Sequence, residues 1–113
     1  MAQIQLKEKH KQEIEKIVNQ IKIAYKPEKI ILFGSFAFGQ PKENSDIDLV
    51  VIKKTEKKFG ARLFEVAKMI KSKLGTDVLV YTPKEWEKGL KSQYYFFTEI
   101  KNKGKLLYEK SVS

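Results

Sequence analysis

The stretch that decides the fold is residues 33–51, which read FGSFAFGQPKENSDIDLVV. It begins at the end of a continuous apolar run, Ile30–Phe33, of the kind that forms a buried strand. Residues 39–45 have the composition of a loop, and a second strand is predicted from Asp46 to about Lys53. The stretch therefore predicts two strands with a turn and a loop between them.

The remaining elements follow from apolar spacing and from stop signals. Apolar residues at spacings of three and four indicate helices before and after the two strands, and Pro27 and Gly75 mark where these helices end. The predicted elements are a helix at 14–25, strands at 30–33 and 46–53, a helix at 59–74, a strand at 77–81, a short helix at 82–86, a helix at 93–102 and an edge strand at 105–108. This order predicts one α+β domain over residues 1–113.

The composition narrows the class of protein. The chain carries 23 basic and 14 acidic side chains, a net charge of +9, and no cysteine. Only Arg62 is an arginine, and the excess charge is spread along the chain, which favours a lysine-rich solvated surface over a dedicated duplex-DNA binder. Any metal must be held by oxygen atoms or by His10, which is expected on the solvated side of the first helix. Since no apolar run could span a membrane, we expect a cytoplasmic protein.

The pattern Asp46-Ile47-Asp48 carries the first chemical signal. Side chains alternate along a strand, so Asp46 and Asp48 share one face while Ile47 points to the core. Two neighbouring carboxylates repel each other, and aspartate is a poor strand former, unless a cation lies between them. Mg²⁺ prefers such oxygen ligands. A solvent-facing turn before the strand is the alternative that this pair alone leaves open.

Gly34 and Ser35 add a second signal next to the first. A glycine directly after a buried strand permits a tight turn, and the backbone N–H groups of such a turn can bind phosphate oxygens, as can the Ser35 hydroxyl. No Gly-Lys-Ser or Gly-Lys-Thr follows, which excludes a Walker loop. The turn stands one short loop before the carboxylates, and that combination is the minimum for phosphoryl or nucleotidyl transfer.

Asp77 is the candidate third carboxylate, because it begins the predicted strand 77–81. If that strand lies beside the second strand, Asp77 reaches the same side as Asp46 and Asp48. It could then bind a metal or act as a general base towards an acceptor hydroxyl. An aspartate in a turn after Gly75 is the alternative.

These residues together resemble a known signature. Gly34-Ser35, ten intervening residues and Asp46-Ile47-Asp48-Leu49 resemble the signature of the DNA polymerase β nucleotidyltransferase superfamily. Over nearly its full length, including the segments 77–83 and 104–108, the chain is similar to minimal nucleotidyltransferases of the antitoxin type, small prokaryotic proteins often encoded beside a helical HEPN-domain partner. The resemblance implies a mixed α/β fold, with a mixed central sheet flanked by helices and a metal site at the sheet edge.

By position, the resemblance assigns metal binding and catalysis to Asp46, Asp48 and Asp77, and triphosphate binding to Gly34 and Ser35. It implies two Mg²⁺ ions and ATP or another nucleoside triphosphate as the substrate. The transferred group would be a nucleoside monophosphate, AMP foremost, and the acceptor a hydroxyl such as a tyrosine of a HEPN-type toxin. On this view the chain is a protein adenylyltransferase that acts as an antitoxin.

Several points stay open at this level. Many relatives have an arginine where this chain has Phe38, so a lysine such as Lys42 would have to replace it if that arginine holds phosphate. The aromatic block 94–97 exceeds what one core can bury, so its surplus could serve a partner or a homo-oligomer. The alternative functions are a non-catalytic antitoxin that covers a helical partner and, less favoured, a basic nucleic-acid binder.

Overall fold

The computed structural model describes residues 8–111 of the chain. Its elements are, in chain order, α1 (Glu8–Tyr25), β1 (Lys29–Phe33), α2 (Ser35–Phe38), β2 (Ile47–Ile52), α3 (Phe59–Ala67), β3 (Thr76–Tyr81), α4 (Pro83–Ser92), α5 (Tyr95–Lys103) and β4 (Lys105–Glu109). Every strand and helix predicted from the sequence is present, and α2 is an additional single turn that follows Gly34. In the described range, no helix has the length and apolar character needed to cross a membrane.

The four strands form one mixed sheet in the order β3-β2-β1-β4. β1 is antiparallel to both β2 and β4, whereas β2 and β3 are parallel. β4 lies at an edge, as predicted. A parallel pair needs a crossover connection, and α3 supplies it between β2 and β3. The predicted mixed sheet flanked by helices is therefore confirmed.

Helices cover both faces of the sheet because its central strands are apolar on both sides. One cluster joins α1, α2 and α3 to the side chains of Ile47, Leu49 and Val51, and the other joins α4 and α5 to Val50 and Ile52. Each such fully buried side chain stabilises the fold by about 1.5–3 kcal/mol. Since side chains alternate along a strand, an aspartate at position 48 faces the side of α4 and α5.

The third helix ends earlier than its apolar pattern predicts. α3 stops at Ala67, whereas the pattern extends to Leu74. After Ala67 the chain forms turns whose backbone is held from α1. The Glu13 carboxylate accepts hydrogen bonds from the Ser72 hydroxyl at 2.9 Å and from the Lys73 N–H at 3.1 Å. Gln20 bonds both backbone groups of Lys71 in the same way. These side chains replace the helical hydrogen bonds, so the prediction for residues 68–74 is wrong.

The fourth helix is longer than predicted. α4 continues past Trp86 to Ser92 and begins with a capping box between Thr82 and Glu85. It contains Gly89, a weak helix former, because a side chain there would strike Phe97: an added Cβ would lie 2.5 Å from Cδ1 of that ring. Tertiary packing thus outweighs local propensity in this helix.

His10 is not on the solvated side of α1. It is only 3% exposed, and its ring packs edge-on against Phe36 at 5.1 Å between centroids. The buried residues of α1 are His10, Ile14, Ile17, Ile21 and Tyr25. These positions recur every three or four residues, so His10 continues the apolar stripe by one turn. The prediction that His10 is solvated is therefore wrong.

Candidate active site

Asp46, Asp48 and Asp77 are the only aspartates of the sequence, and the fold brings them to one end of the sheet. The parallel register of β2 and β3 pairs Asp48 with Asp77, so the two side chains emerge side by side on one face. Asp46 comes just before β2, two residues from Asp48. The adjacency of the second and third strands, on which the sequence argument for Asp77 depended, is thus present.

Two glycines leave room for two of these carboxylates. Gly34 has a φ of +75°, and an added Cβ would overlap the carboxylate of Asp48, with 3.0 Å left to its Cγ. Gly75 makes the same kind of space for Asp46, whose Cγ would lie 3.0 Å from an added Cβ. The sequence suggested only that Gly75 ends a helix. Its second role depends on the chain crossing beside Asp46, where the Ile47 N–H donates to the Gly75 carbonyl at 2.8 Å.

Asp48 carries the clearest electrostatic signal of the site. Burial, followed by the negative charges of Asp77 and Asp46, raises the pKa of its carboxyl group from 3.8 to about 6. A group whose ionisation is opposed both by low polarity and by like charge is typical of functional sites. Phe33, which pairs with Asp48, packs edge-on against Phe96 at 5.7 Å, so apolar rings border this carboxylate on the side of α5.

The donor chemistry of this cluster fits a hard divalent cation such as Mg²⁺. All candidate ligands are carboxylate oxygens, and a cation between Asp48 and Asp77 would relieve the repulsion that raises the pKa of Asp48. The carboxylates are nevertheless neighbours rather than a preformed centre. Within residues 8–111 no three His, Cys, Asp or Glu side chains converge closely enough to hold an ion as they stand.

The turn at Gly34 and Ser35 stands directly beside the carboxylates. It follows Phe33, the partner of Asp48 in β2, and leads into the single turn of α2. The Gly34 carbonyl accepts hydrogen bonds from the N–H groups of Ala37 at 3.0 Å and Phe38 at 3.1 Å. Phe36 is fully buried and anchors the turn in the core. The structure therefore unites Gly34 and Ser35 with the predicted carboxylates at one end of the sheet.

Two basic residues lie in the segments that border this turn. In the loop between α2 and β2, the Lys42 backbone N–H donates to the Ser45 hydroxyl at 2.7 Å. The ammonium group of Lys103 lies 5.8 Å from the centre of the Phe38 ring. Sequence reasoning proposed Lys42 and missed Lys103, because the contact joins α2 to the end of α5 and no local pattern indicates it.

The aromatic block divides into packed and exposed members. Phe96 and Phe97 pack against each other and into the cluster with Trp86, as expected for core cover. Tyr94 and Tyr95 remain 70% and 75% exposed. The surplus that the sequence predicted is therefore these two tyrosines, while their use by a partner or a second copy stays a prediction.

Comparisons with known proteins agree with the geometry of the candidate site. The family model described as "Polymerase beta, Nucleotidyltransferase" matches residues 12–113. None of the curated proteins compared with the chain matches it. Among solved structures, a protein from Sulfolobus solfataricus assigned as a nucleotidyltransferase shares the fold, with a TM-score of 0.62 and 21% identity over 94% of this chain and 91% of that chain.

Two further similar structures are toxin–antitoxin complexes. One was solved with AMP-PNP and matches with a TM-score of 0.56 and 26% identity, over 86% of this chain and 73% of that chain. The other is a mutant of the complex MntA–HpeT, with a TM-score of 0.54 and 26% identity over 95% of this chain and 76% of that chain. Because the family model covers all but the first residues of the sequence, the chain belongs to the polymerase β nucleotidyltransferase family.

Proposed function

We propose that the chain transfers a nucleoside monophosphate, AMP from ATP, to a tyrosine hydroxyl of a helical HEPN-type toxin and thereby acts as an antitoxin. The observation that carries the proposal is the pairing of Asp48 with Asp77, with Gly34 in contact with Asp48. Carboxylates beside a glycine turn that can bind phosphate are what nucleotidyl transfer requires, and the family contains transferases of this class.

In this proposal Asp46, Asp48 and Asp77 hold two Mg²⁺ ions. When bound, Mg²⁺ neutralises charge on the triphosphate and on the departing pyrophosphate. The chain itself orients the reactants. The absent side chain of Gly34 lets the triphosphate approach the carboxylates closely, and the Ser35 hydroxyl donates to a phosphate oxygen.

The proton of the acceptor needs a base at the same site. We assign this role to a carboxylate oxygen of Asp77, which is exposed and can face an incoming protein. The acceptor oxygen forms a bond to the α-phosphorus, the bond between the α-phosphorus and its bridging oxygen breaks, and pyrophosphate leaves. The hydroxyl proton passes to Asp77 and then to solvent.

The partner is inferred from similarity. The two toxin–antitoxin structures resemble this chain at 26% identity, and one of them was solved with an ATP analogue. The exposed Tyr94 and Tyr95 stand at the start of α5, next to Phe96, which packs on Phe33. They therefore offer a protein-binding surface on the helix that covers the sheet face to which Asp48 points.

A non-catalytic antitoxin is the second candidate. The observation in its favour is the exposed pair Tyr94 and Tyr95, which offers a protein-binding surface whether or not the carboxylates are used. Such a protein would neutralise its partner by covering it, and loss of the carboxylates would leave neutralisation intact.

The experiment that separates the two candidates mixes the chain, its genomic neighbour, Mg²⁺ and ATP labelled at either the α- or the γ-phosphate. Transfer of AMP predicts α-label on a tyrosine of the neighbour, no γ-label, and loss of the α-label with Asp46→Asn or Asp48→Asn. Glu87→Gln on the surface of α4 is the matched control and should leave transfer unchanged. A tight complex without label in any mixture would favour the non-catalytic antitoxin.

A further inference from the structure

The end of α5 lies at the same end of the sheet as the carboxylates. α5 ends at Lys103, and β4 begins at Lys105, which pairs with Leu32 of β1. The next residue of β1, Phe33, pairs with Asp48. The junction between α5 and β4 is therefore separated from Asp48 by the width of β1 alone.

The Lys103 side chain is held at this end by contacts from two elements. Its ammonium group lies 5.8 Å from the centre of the Phe38 ring, within the range of a cation–π interaction. It also lies 3.3 Å from a carboxylate oxygen of Glu99, one turn earlier on α5. Phe38 ends the single helical turn that begins at Ser35, so the ring that contacts the cation belongs to the same short helix as the predicted phosphate-binding serine. The side chain is still half exposed and can reach a ligand.

The negative charge of the proposed substrate site exceeds what two divalent ions can neutralise, so a basic side chain is expected beside it. A bound triphosphate brings about four negative charges to the three aspartates, and two divalent ions offset about four of the sum. The remaining negative charge needs basic groups of the protein. Lys103 supplies a positive charge in contact with α2, the helical turn that begins at Ser35 and ends at Phe38.

We propose that Lys103 binds the polyphosphate of the nucleoside triphosphate, with Phe38 as the platform that keeps the ammonium group beside the turn. This inference rests on the proposed function and adds a residue to its substrate site. The face of Phe38 engages the charge without using an N–H donor, so two of the three donors stay available for phosphate oxygens beside the one that faces Glu99. A phenylalanine at position 38 is then part of the anion site, and the cation comes from α5.

The test measures ligand binding by calorimetry on the full chain, with Mg²⁺ present and with either inorganic tripolyphosphate or ATP as the ligand. Lys103→Ala and Lys103→Gln should each weaken both ligands by roughly tenfold, as expected for the loss of a charge-assisted contact. Lys103→Arg should restore most of the affinity. Lys101→Ala is the matched control: it removes the same charge from the same helical turn but points elsewhere, and should change affinity by less than about twofold.

Two results would overturn the assignment. Wild-type affinity in both Lys103→Ala and Lys103→Gln would show that the residue does not bind polyphosphate. An equal loss in Lys101→Ala would show that only overall charge matters. These results differ from a failure of the proposed function, in which the wild-type chain itself would bind neither ATP nor tripolyphosphate, and Lys103 would lose its role as well.

Discussion

Gly34 and Asp48 are in contact across the end of the sheet, so closely that any side chain at position 34 would overlap the carboxylate of Asp48. Gly34 also has a φ of +75°, a backbone conformation that residues other than glycine rarely adopt. Both facts link the backbone of the predicted phosphate turn to the carboxylate whose pKa is raised to about 6. Both the contact with Asp48 and the backbone conformation of the turn therefore require a glycine at position 34.

Replacing Gly34 by alanine should therefore impair both folding and function. The strained backbone and the displaced carboxylate should lower the free energy of unfolding by about 1–3 kcal/mol and abolish transfer. Gly60→Ala is the matched control, since an added Cβ there meets nothing within 4 Å, and it should be neutral or stabilise α3 by about 0.5–1 kcal/mol. Chemical denaturation of both variants checks this. Equal stability of the two would contradict the contact.

Gly75→Ala should affect the carboxylate site while leaving the stability of the fold nearly unchanged. The atoms that an added Cβ would strike are the end of the exposed Asp46 side chain, which can rotate away at little cost. We expect the unfolding free energy to change by less than about 1 kcal/mol. Transfer should require a higher Mg²⁺ concentration, because Asp46 is displaced. The measurement compares the melting temperature with the Mg²⁺ concentration that gives half-maximal rate. A large loss of stability with an unchanged Mg²⁺ requirement would refute this account of Gly75.

Asp48→Asn should stabilise the metal-free protein while removing its activity. The carboxyl pKa is raised on folding from 3.8 to about 6, so between these values the folded chain keeps a proton that the unfolded chain has lost. Stability therefore falls as the pH rises through this window, and the penalty is complete above it. Asparagine escapes the penalty, and the gain at pH 7.5 should be about 1–2 kcal/mol after solvent screening.

Urea denaturation with EDTA at pH 7.5 and pH 4 measures this gain, which should shrink at the lower pH. Glu87→Gln, on the exposed surface of α4, controls for the loss of one negative charge from a basic protein. A variant that is less stable than wild type at pH 7.5 would contradict the electrostatic account of Asp48.

Arg62 should be a structural residue, and its loss should be costly. It is 6% exposed and donates to the carbonyl oxygens of Lys57 at 2.7 Å and Val80 at 3.2 Å and to both carboxylate oxygens of Glu85. Arg62→Ala leaves the two carbonyl groups without this donor and removes packed side-chain atoms, and should cost about 2–3 kcal/mol. Arg62→Lys should recover only part of this, because an ammonium group cannot reproduce the fork. Thermal denaturation ranks the variants, and a mild Arg62→Ala phenotype would argue against this role.

The same ion pair sets a pH dependence at acid pH. Hydrogen bonding to Arg62 lowers the pKa of Glu85, so its contribution is present above the unfolded value of 4.5 and is lost as the pH falls through the lower folded value. The wild type should consequently lose stability more steeply below pH 4.5 than Glu85→Gln does. Parallel slopes of the two proteins in acid would show that the pair contributes nothing.

Local patterns predicted most of what lies within a short stretch of chain. The strand before Gly34, the turn and the strand after Asp46 follow from apolar runs and turn residues, and they already unite four of the five predicted site residues. Asp77 required a further condition, the adjacency of β2 and β3, which depends on how the whole chain packs. The resemblance to the nucleotidyltransferase family, rather than the local pattern, assigned Asp77 to the same site as the other two aspartates.

The early end of α3 and the contact of Lys103 have a common physical cause in contacts between distant segments. The end of α3 is set by Glu13 and Gln20 of α1, which bond the backbone after Ala67. The contact of Lys103 with Phe38 likewise joins elements that are far apart in the sequence, α5 and α2. Hydrophobic periodicity contains no information about such hydrogen bonds and ion contacts, so only the folded arrangement reveals them.

The central claim is that Asp48 and Asp77, side by side on adjacent strands, hold the divalent cation on which transfer depends. The most direct measurement titrates Mn²⁺, as a paramagnetic substitute for Mg²⁺, into the chain with a non-hydrolysable ATP analogue and follows binding by electron paramagnetic resonance. The account predicts bound Mn²⁺ in the wild type and in Glu87→Gln, and at least about tenfold weaker binding in Asp48→Asn and in Asp77→Asn. Wild-type Mn²⁺ affinity in both aspartate variants would contradict it.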